Sequence, residues 1–517
     1  MSKDVKARNW MTASHPHLKV STPDRYNGLE EGSNRIGIID IGSNTVRMVV
    51  YDAPARLPIP IFNERAACGL AKGMVRTGRL NPLGKRLAFE ALDRFCSLAR
   101  EMNVEQFRLL ATAAVRDSRD GLEFAKEVEK RFGYAVKVLS GEEEARLGAT
   151  GILGALPEAD GMLGDMGGGS LDLISLDKGH FGKSATLPLG HLLITEAAEG
   201  NPRKAKYIIE DNLKAIDWSS KIEGRNFYAV GGIWRAIARI YIQQHDYPLH
   251  LIDNLTVDVE TARDITKVIS HLSKRSLQGM ASVAKRRADT LPMAALVLNC
   301  LLKATKPKQL IFSGYGLREG QFFDLLPEEM KRQDPLISAC KGFAQRGGRF
   351  SLHGGEIANW IMPLFPEALE RDVRMLHAAA LLSDIGWTEH PDYRALHSFI
   401  RILRLPIAGI THRDRIMLAL AIFVRYNGSR RQYEVEQVRP LIEEHDNHSA
   451  VVTGLALRLA HVLSGGVPGL LVQTNLKRST KRIVLDLGKN RNLFKGEAVQ
   501  KLISHLADVM KVTFLIK

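Results

Sequence analysis

Two stretches of this sequence carry residue types suited to holding phosphate. Residues 35–52 read RIGIIDIGSNTVRMVVYD and residues 162–177 read MLGDMGGGSLDLISLD. In each, an apolar run ends at an aspartate, a tight glycine-rich turn with hydroxyl or amide side chains follows, and a second apolar run leads back. Aligned without a gap, Asp40 falls on Asp165, Gly42 on Gly167 and Thr45 on Ser170. Gly42 and Gly167, Gly168 and Gly169 leave backbone N–H groups uncovered, and Ser43, Asn44, Thr45 and Ser170 add hydroxyl and amide groups. Two such turns set face to face would grip an anion with a carboxylate on either side. One hairpin of this kind is an ordinary turn; the repeated Asp-x-Gly-x-x-Thr/Ser core makes a bilobal phosphate- or nucleotide-binding fold the expectation. A third glycine signal, FYAVGGIW at 227–234, again joins a short apolar strand to a helical pattern.

The elements that must position these turns come from a chain of 517 residues, enough for about three to four domains at ~150 residues each. Apolar residues at 45% and charged residues at 25% place it among ordinary globular proteins, not disordered ones. Lys and Arg number 72 against 57 Asp and Glu; the resulting charge of +15 favours a polyanionic partner, whether polyphosphate, nucleic acid or a nucleotide. Cys68, Cys96, Cys300 and Cys340 are scattered with no C-x-x-C pair, so they read as buried thiols in a reducing compartment. No apolar run approaches the ~18 residues of a membrane span; the runs at 291–302 and 416–424 read as core helices. The first thirty residues are polar, without a signal peptide's apolar stretch, so a cytoplasmic protein with a loose N-terminal arm is expected.

After the first hairpin, 59–67 reads as a strand, 82–102 as an amphipathic helix, 107–114 as a strand, 121–132 as a helix and 135–139 as a strand. Ser140 then caps a helix whose first turn carries Glu142, Glu143 and Glu144, where acidic groups meet the positive helix end. The patterns between 196 and 261 are mostly helical.

DIGSNTVRMVV, TAAVRD, SGEEEARL, DMGGGSLDL, RADTLP and SGYGLREG, in this order over about 35–320, resemble the exopolyphosphatase and guanosine pentaphosphate phosphohydrolase (Ppx/GppA) family, of the sugar kinase, heat-shock-70 and actin superfamily. The resemblance implies an α/β fold: duplicated actin-like (ribonuclease H-like) ATPase lobes, followed by an all-α HD-like domain and a small α/β C-terminal domain. It implies that Glu144 is the catalytic base, that Arg116 lies near the phosphate cleft, and that Asp165 and Asp172 are magnesium-associated carboxylates, joined by Asp40. At the last of these the family pattern carries Glu; Asp172 is one methylene shorter, which leaves room for a bridging water. Mg²⁺ is the implied cofactor, with Mn²⁺ as a substitute and a monovalent cation as a further ion, and a homodimer is the implied assembly.

Such residues suit phosphoanhydride hydrolysis, which needs the terminal phosphoryl held in line, its oxygens neutralised and a water oriented by a carboxylate. Lys285, Arg286 and Arg287, Arg318, and Lys477 and Arg478 are expected to contact the polyanion. From 321 the reading is helical, with Gly-Gly-Val-Pro at 465–468 as a boundary. His353, His377, Ser383-Asp384, His390 and His397 resemble the phosphohydrolase fold named for its His-Asp pair. Ser383 stands where that His would be, so no catalytic metal is expected among His353, Asp384 and His397. The expected organisation is an arm at 1–30, lobes at 31–148 and 149–320, a helical domain at 321–466 and a C-terminal domain at 467–517, where 482–487 and 512–516 read as strands and 497–510 as a helix. The expected activity is removal of terminal orthophosphate from inorganic polyphosphate. A guanosine pentaphosphate (pppGpp) phosphatase is the runner-up; a non-hydrolytic nucleotide or polyphosphate sensor, or a kinase of the same superfamily, comes from another class.

Overall fold

The computed structural model describes residues 34–517 apart from 53–54, 348, 351–352 and 430, so the expected arm at 1–30 lies outside the described residues. Strands β1 (Arg35–Ile41), β2 (Thr45–Tyr51), β3 (Pro60–Ala67), β4 (Val104–Ala111) and β5 (Val136–Val138) form a sheet in the order β3-β2-β1-β4-β5. β1, β4 and β5 run parallel; β2 pairs antiparallel with β1 and β3 antiparallel with β2, so only β2 runs against the others. The second sheet is built from β6 (Gly161–Met166), β7 (Leu171–Asp177), β8 (His180–Leu187), β9 (Asn226–Val230), β10 (Leu255–Asp258) and β11 (Gln309–Phe312). Its order β10-β11-β9-β6-β7-β8 repeats the first strand for strand, with β10 added at one edge. The duplication read from the two turns therefore extends to whole lobes.

Each sheet is covered on both faces, which is why β1 is an almost unbroken apolar run. Ile39 and Ile41 pack with Leu92, Phe95 and Phe124, from helices Pro82–Glu101 and Gly121–Phe132. Ile36 and Ile38, one residue out of phase, pack with Leu147, Leu317, Phe322 and Phe323 on the other face. The strand expected at 107–114 instead spans Val104–Ala111, because its pairing with β1 ends where Ala111 meets Ile41, and Ala113–Asp117 turns into a short helix.

Helices Gly141–Ala155 and Leu317–Asp324 lie against each other below the first sheet, although the second follows the last strand of the second lobe. A division at 320 thus falls inside a helix that packs on the first lobe. Their approach is so close that a methyl added at Gly151 would sit 2.4 Å from the Gly316 carbonyl oxygen, and one at Gly320 1.8 Å from that of Leu147.

Helices from Pro335–Gly347 to Glu444–Ser464 make the helical region. It shares one hydrophobic core with a third sheet of β12 (Asn475–Arg478), β13 (Arg482–Asp486) and β14 (Thr513–Ile516), so the segment expected as a separate unit at 467–517 packs directly into it. His412 ties this region to the second lobe: its ring nitrogens lie 2.9 Å from the Tyr247 hydroxyl and 3.0 Å from the Asp253 carbonyl oxygen. All four cysteines are buried and free, and no described helix is long and apolar enough to cross a membrane.

The glycine contact between the two crossing helices leads to a direct expectation. Gly151→Ala pushes a Cβ into backbone that cannot swing away, and should cost about 1–3 kcal/mol of stability in denaturant unfolding. Wild-type stability for this variant would show that the two helices can separate without loss.

Candidate active site between the duplicated turns

The β1–β2 and β6–β7 hairpins close alike: the Gly42 N–H donates to the Thr45 carbonyl at 3.0 Å, and the Gly167 N–H to that of Ser170 at 3.0 Å. The two turns meet. A methyl on Gly168 would sit 2.8 Å from the Ser43 Cβ, and one on Gly169 3.2 Å from the Ala113 Cβ. Gly190, heading the helix that follows β8, is pressed from behind, 2.5 Å separating the Gly168 oxygen from any methyl there. Beside this contact lies a cleft of about 390 Å³. All eight expected phosphate-binding residues line it: Gly42, Ser43, Asn44, Thr45, Gly167, Gly168, Gly169 and Ser170. Asp40, Asp165 and Glu144 line it too.

Glu144 lies in the first turn of its helix, which starts with a capping box between Ser140 and Glu143. Its side chain is 12% exposed, and its Oε2 accepts from Arg116 Nη1 at 2.9 Å. Arg116 also donates to the Leu139 carbonyl and to Asp117. It holds the glutamate in place and is not itself part of the cleft wall. Burial, and next the neighbouring Asp172 charge, push the Glu144 carboxyl well above the usual carboxylate range, while Arg116 opposes them. Burial followed by Asp172 likewise raises Asp165, to about 7.

The pairing registers reveal an asymmetry. Asp40 stands opposite Arg47, whereas the equivalent Asp165 stands opposite Asp172. The first turn thus carries a carboxylate with a cation, the second a pair of carboxylates. Asp172 is 1% exposed and does not line the cleft, which corrects its expected place among the metal-facing groups. One oxygen accepts from Thr186 Oγ1 at 2.7 Å and the other from Ser170 Oγ at 3.2 Å, so it orients the turn hydroxyl and sets the field at Glu144.

Asp40, Asp165 and Glu144 present oxygen donors to one cleft, and all three are raised foremost by burial. The Asp40 and Asp165 carboxylates fit a hard divalent cation such as Mg²⁺, whose charge would offset the desolvation that raises them.

Of the expected polyanion contacts, Arg286, Arg287 and Arg318 line the cleft. Arg318 is buried 3.7 Å from Asp40, and its Nη1 has no hydrogen-bond partner. Lys285 lies outside the lining, and Lys477 and Arg478 sit on the third sheet, where Arg478 donates to the Leu364 carbonyl at 2.6 Å; these three do not belong to the cleft. Sequence reading passed over Arg47, Arg65, Thr112, His191 and Arg235, all in the lining. Arg47 was findable, since strand alternation places it opposite Asp40. Arg235 follows the noted Gly231-Gly232 turn by three residues and donates to the Ser313 carbonyl at 3.1 Å. Arg65 is on the third strand of the first lobe, with no glycine motif to mark it.

Residues 49–329 match the Ppx/GppA phosphatase family and residues 336–514 match the exopolyphosphatase C-terminal family. Retrograde regulation protein 2 of Saccharomyces cerevisiae is 25% identical over 530 residues, covering 90% of this chain and 88% of that protein. The guanosine-5'-triphosphate,3'-diphosphate pyrophosphatase of Aeromonas hydrophila is 22% identical over 446 residues, 82% of this chain and 85% of its own length. Among solved structures, an exopolyphosphatase from Cytophaga hutchinsonii superposes with a TM-score of 0.51 at 23% identity, over 57% of this chain and 99% of its own, and so shares the fold of the paired lobes. With more than half its length matched to one family, the chain belongs to the Ppx/GppA phosphatases.

Proposed function

We propose that this protein is an exopolyphosphatase, hydrolysing the terminal phosphoanhydride bond of inorganic polyphosphate. The observation that carries this reading is the cleft itself, lined by two touching phosphate-type turns, a pinned Glu144 and a cluster of arginines. Arg287 is lowered to about 10 by burial and then by the surrounding Arg239, Arg286, Arg65 and Arg235 guanidiniums. Among the described residues, no carboxylate lies within ion-pair distance of Arg65, Arg239, Arg286 or Arg287. Clustered, uncompensated cations suit a polyanion of several phosphates better than one terminal group.

In this reading the turn N–H groups and hydroxyls hold the terminal phosphoryl, and Arg318 and Arg235 offset the charge on its oxygens. Glu144 accepts a proton from a water as the water oxygen bonds to phosphorus; the anhydride P–O bond breaks, and the shortened chain leaves with the bridging oxygen. Mg²⁺ held by Asp40 and Asp165 would supply charge neutralisation of the phosphate oxygens, leaving the free oxygen of Glu144 for the water's proton. Release of phosphate from pppGpp is the second reading, supported by the Aeromonas relative. A regulatory role without turnover is the third, supported by the yeast relative, whose match covers the larger share of this chain.

Glu144→Gln keeps the shape and removes the proton acceptor, so orthophosphate release should fall by about 10²–10⁴ while substrate binding persists. Near-normal release by this variant would remove Glu144 from the mechanism, and no release by the wild type would favour the regulatory reading.

The pH dependence has a definite sign. Glu144 works ionised, so the rate should fall as pH drops through its raised pKa, and Asp172 is the leading charge that raises it. Asp172→Asn should therefore move the acid limb of the kcat/KM profile to lower pH. A limb that stays put or moves upward would contradict the assigned coupling.

A further inference from the structure

A second buried polar cluster lies in the helical region, away from the cleft. Asp384 follows the helix Glu370–Leu382, His461 lies near the end of the helix Glu444–Ser464, and His353 precedes the helix Gly354–Ile361. Ligand atoms of these three residues all fall within 4.8 Å of one another, the composition and spacing of a two-histidine, one-carboxylate metal pocket. The hydrogen bonds fix how His461 presents itself. Ser383 Oγ gives its one proton to the Ala380 carbonyl at 2.7 Å, so it accepts from His461 Nε2 at 2.8 Å. His461 Nδ1 is thereby left with its lone pair directed into the cluster, as a metal ligand requires.

A cation already occupies that position. Arg349 Nε and Nη2 each donate to Asp384 at 3.2 Å, one to each oxygen, and Nη2 lies 3.3 Å from His461 Nδ1. Its guanidinium carbon stacks 3.7 Å from the centre of the Trp387 ring, and Nη1 donates to the Gly465 carbonyl at 3.1 Å. Arg425 Nη2 adds a second donor to Asp384 at 3.0 Å, from a side chain only 8% exposed. One carboxylate thus faces two guanidiniums. A divalent ion entering beside them would meet two fixed positive charges at short range in a poorly screened interior.

We propose that Arg349 is a tethered cation standing in for a metal ion at His353, Asp384 and His461, so that this pocket takes a divalent transition metal only when the guanidinium is withdrawn. Arginine suits the task because it stays charged and its planar fork matches the carboxylate. The tryptophan face holds it from the other side. The helical region is then metal-independent in the wild-type protein, and its polar cluster serves to lock the ends of five helical segments together.

Co²⁺ gives a visible absorption that changes with nitrogen ligation and coordination number, and dependence of the band on His461 separates this pocket from binding at the cleft. Titration of the full, metal-stripped chain should give no histidine-ligated band in the wild type. Arg349→Ala, and Arg349→Gln, which keeps the stem against Trp387, should each gain one equivalent with that band, and adding His461→Ala should abolish it. Because the metal replaces the lost cation, Co²⁺ should also raise the Tm of the Arg349 variants and not that of the wild type. A histidine-ligated band in the wild type, or Arg349 variants that gain neither band nor thermal stabilisation, would overturn the proposal; so would variants that fail to fold and are not rescued by Co²⁺.

Discussion

Everything at the candidate site depends on how closely the second turn can approach the first. Gly168 and Gly169 face Ser43 and Ala113 with no room for a side chain, and Gly190 supports them from behind. The backbone N–H groups of both hairpins can therefore converge on one small anion. Side chains on the second turn would hold the lobes apart and leave two half-sites. The helix pair formed by Gly141–Ala155 and Leu317–Asp324 works in the same sense, since its glycine contacts couple the end of the second lobe to the underside of the first. Glu144 rides on one of these helices, so the position of the carboxylate and the contact between the turns are mechanically linked.

The second constraint is electrostatic. Glu144, Asp165 and Asp172 are buried near one another; burial raises all three above the ordinary carboxylate range, Asp172 to about 6, and the Asp172 charge adds to the rise at Glu144 and Asp165. The opposing charges come from Arg116 at Glu144 and from Arg318 and Arg235 at the cleft wall. A site so arranged raises the proton affinity of its carboxylates, which makes Glu144 a stronger proton acceptor than an exposed glutamate. The arrangement also invites the opposite charge of a cation, and the cleft arginines favour an anion beside it.

Much of this was legible before the fold was known, because the two turns are local motifs and the duplicated strand pattern surrounds them. Glu144 was legible through its capped helix and family pattern. What escaped was long-range. Arg65 and Arg235 enter the cleft only because strand and helix from different lobes converge there, and Arg239 joins them from one helical turn further on. The family resemblance implied a metal role for Asp172, yet its two oxygens accept from Thr186 and Ser170. Lys477 and Arg478 looked like part of a basic track, but the third sheet carries them away from the cleft. In the helical region, His397 was expected beside Asp384; it pairs instead with Glu389 at 2.9 Å, and His461, some eighty residues distant in sequence, takes the place beside the aspartate.

The central claim is that the cleft is shaped for a chain of phosphates. The most direct measurement compares kcat/KM for orthophosphate release from long polyphosphate and from pppGpp, at equal enzyme and across a range of added salt. The account predicts faster release from polyphosphate, with a steeper loss as salt screens the arginine cluster, by analogy with counterion release from nucleic acids. Preference for pppGpp, or equal salt dependence for the two substrates, would contradict it.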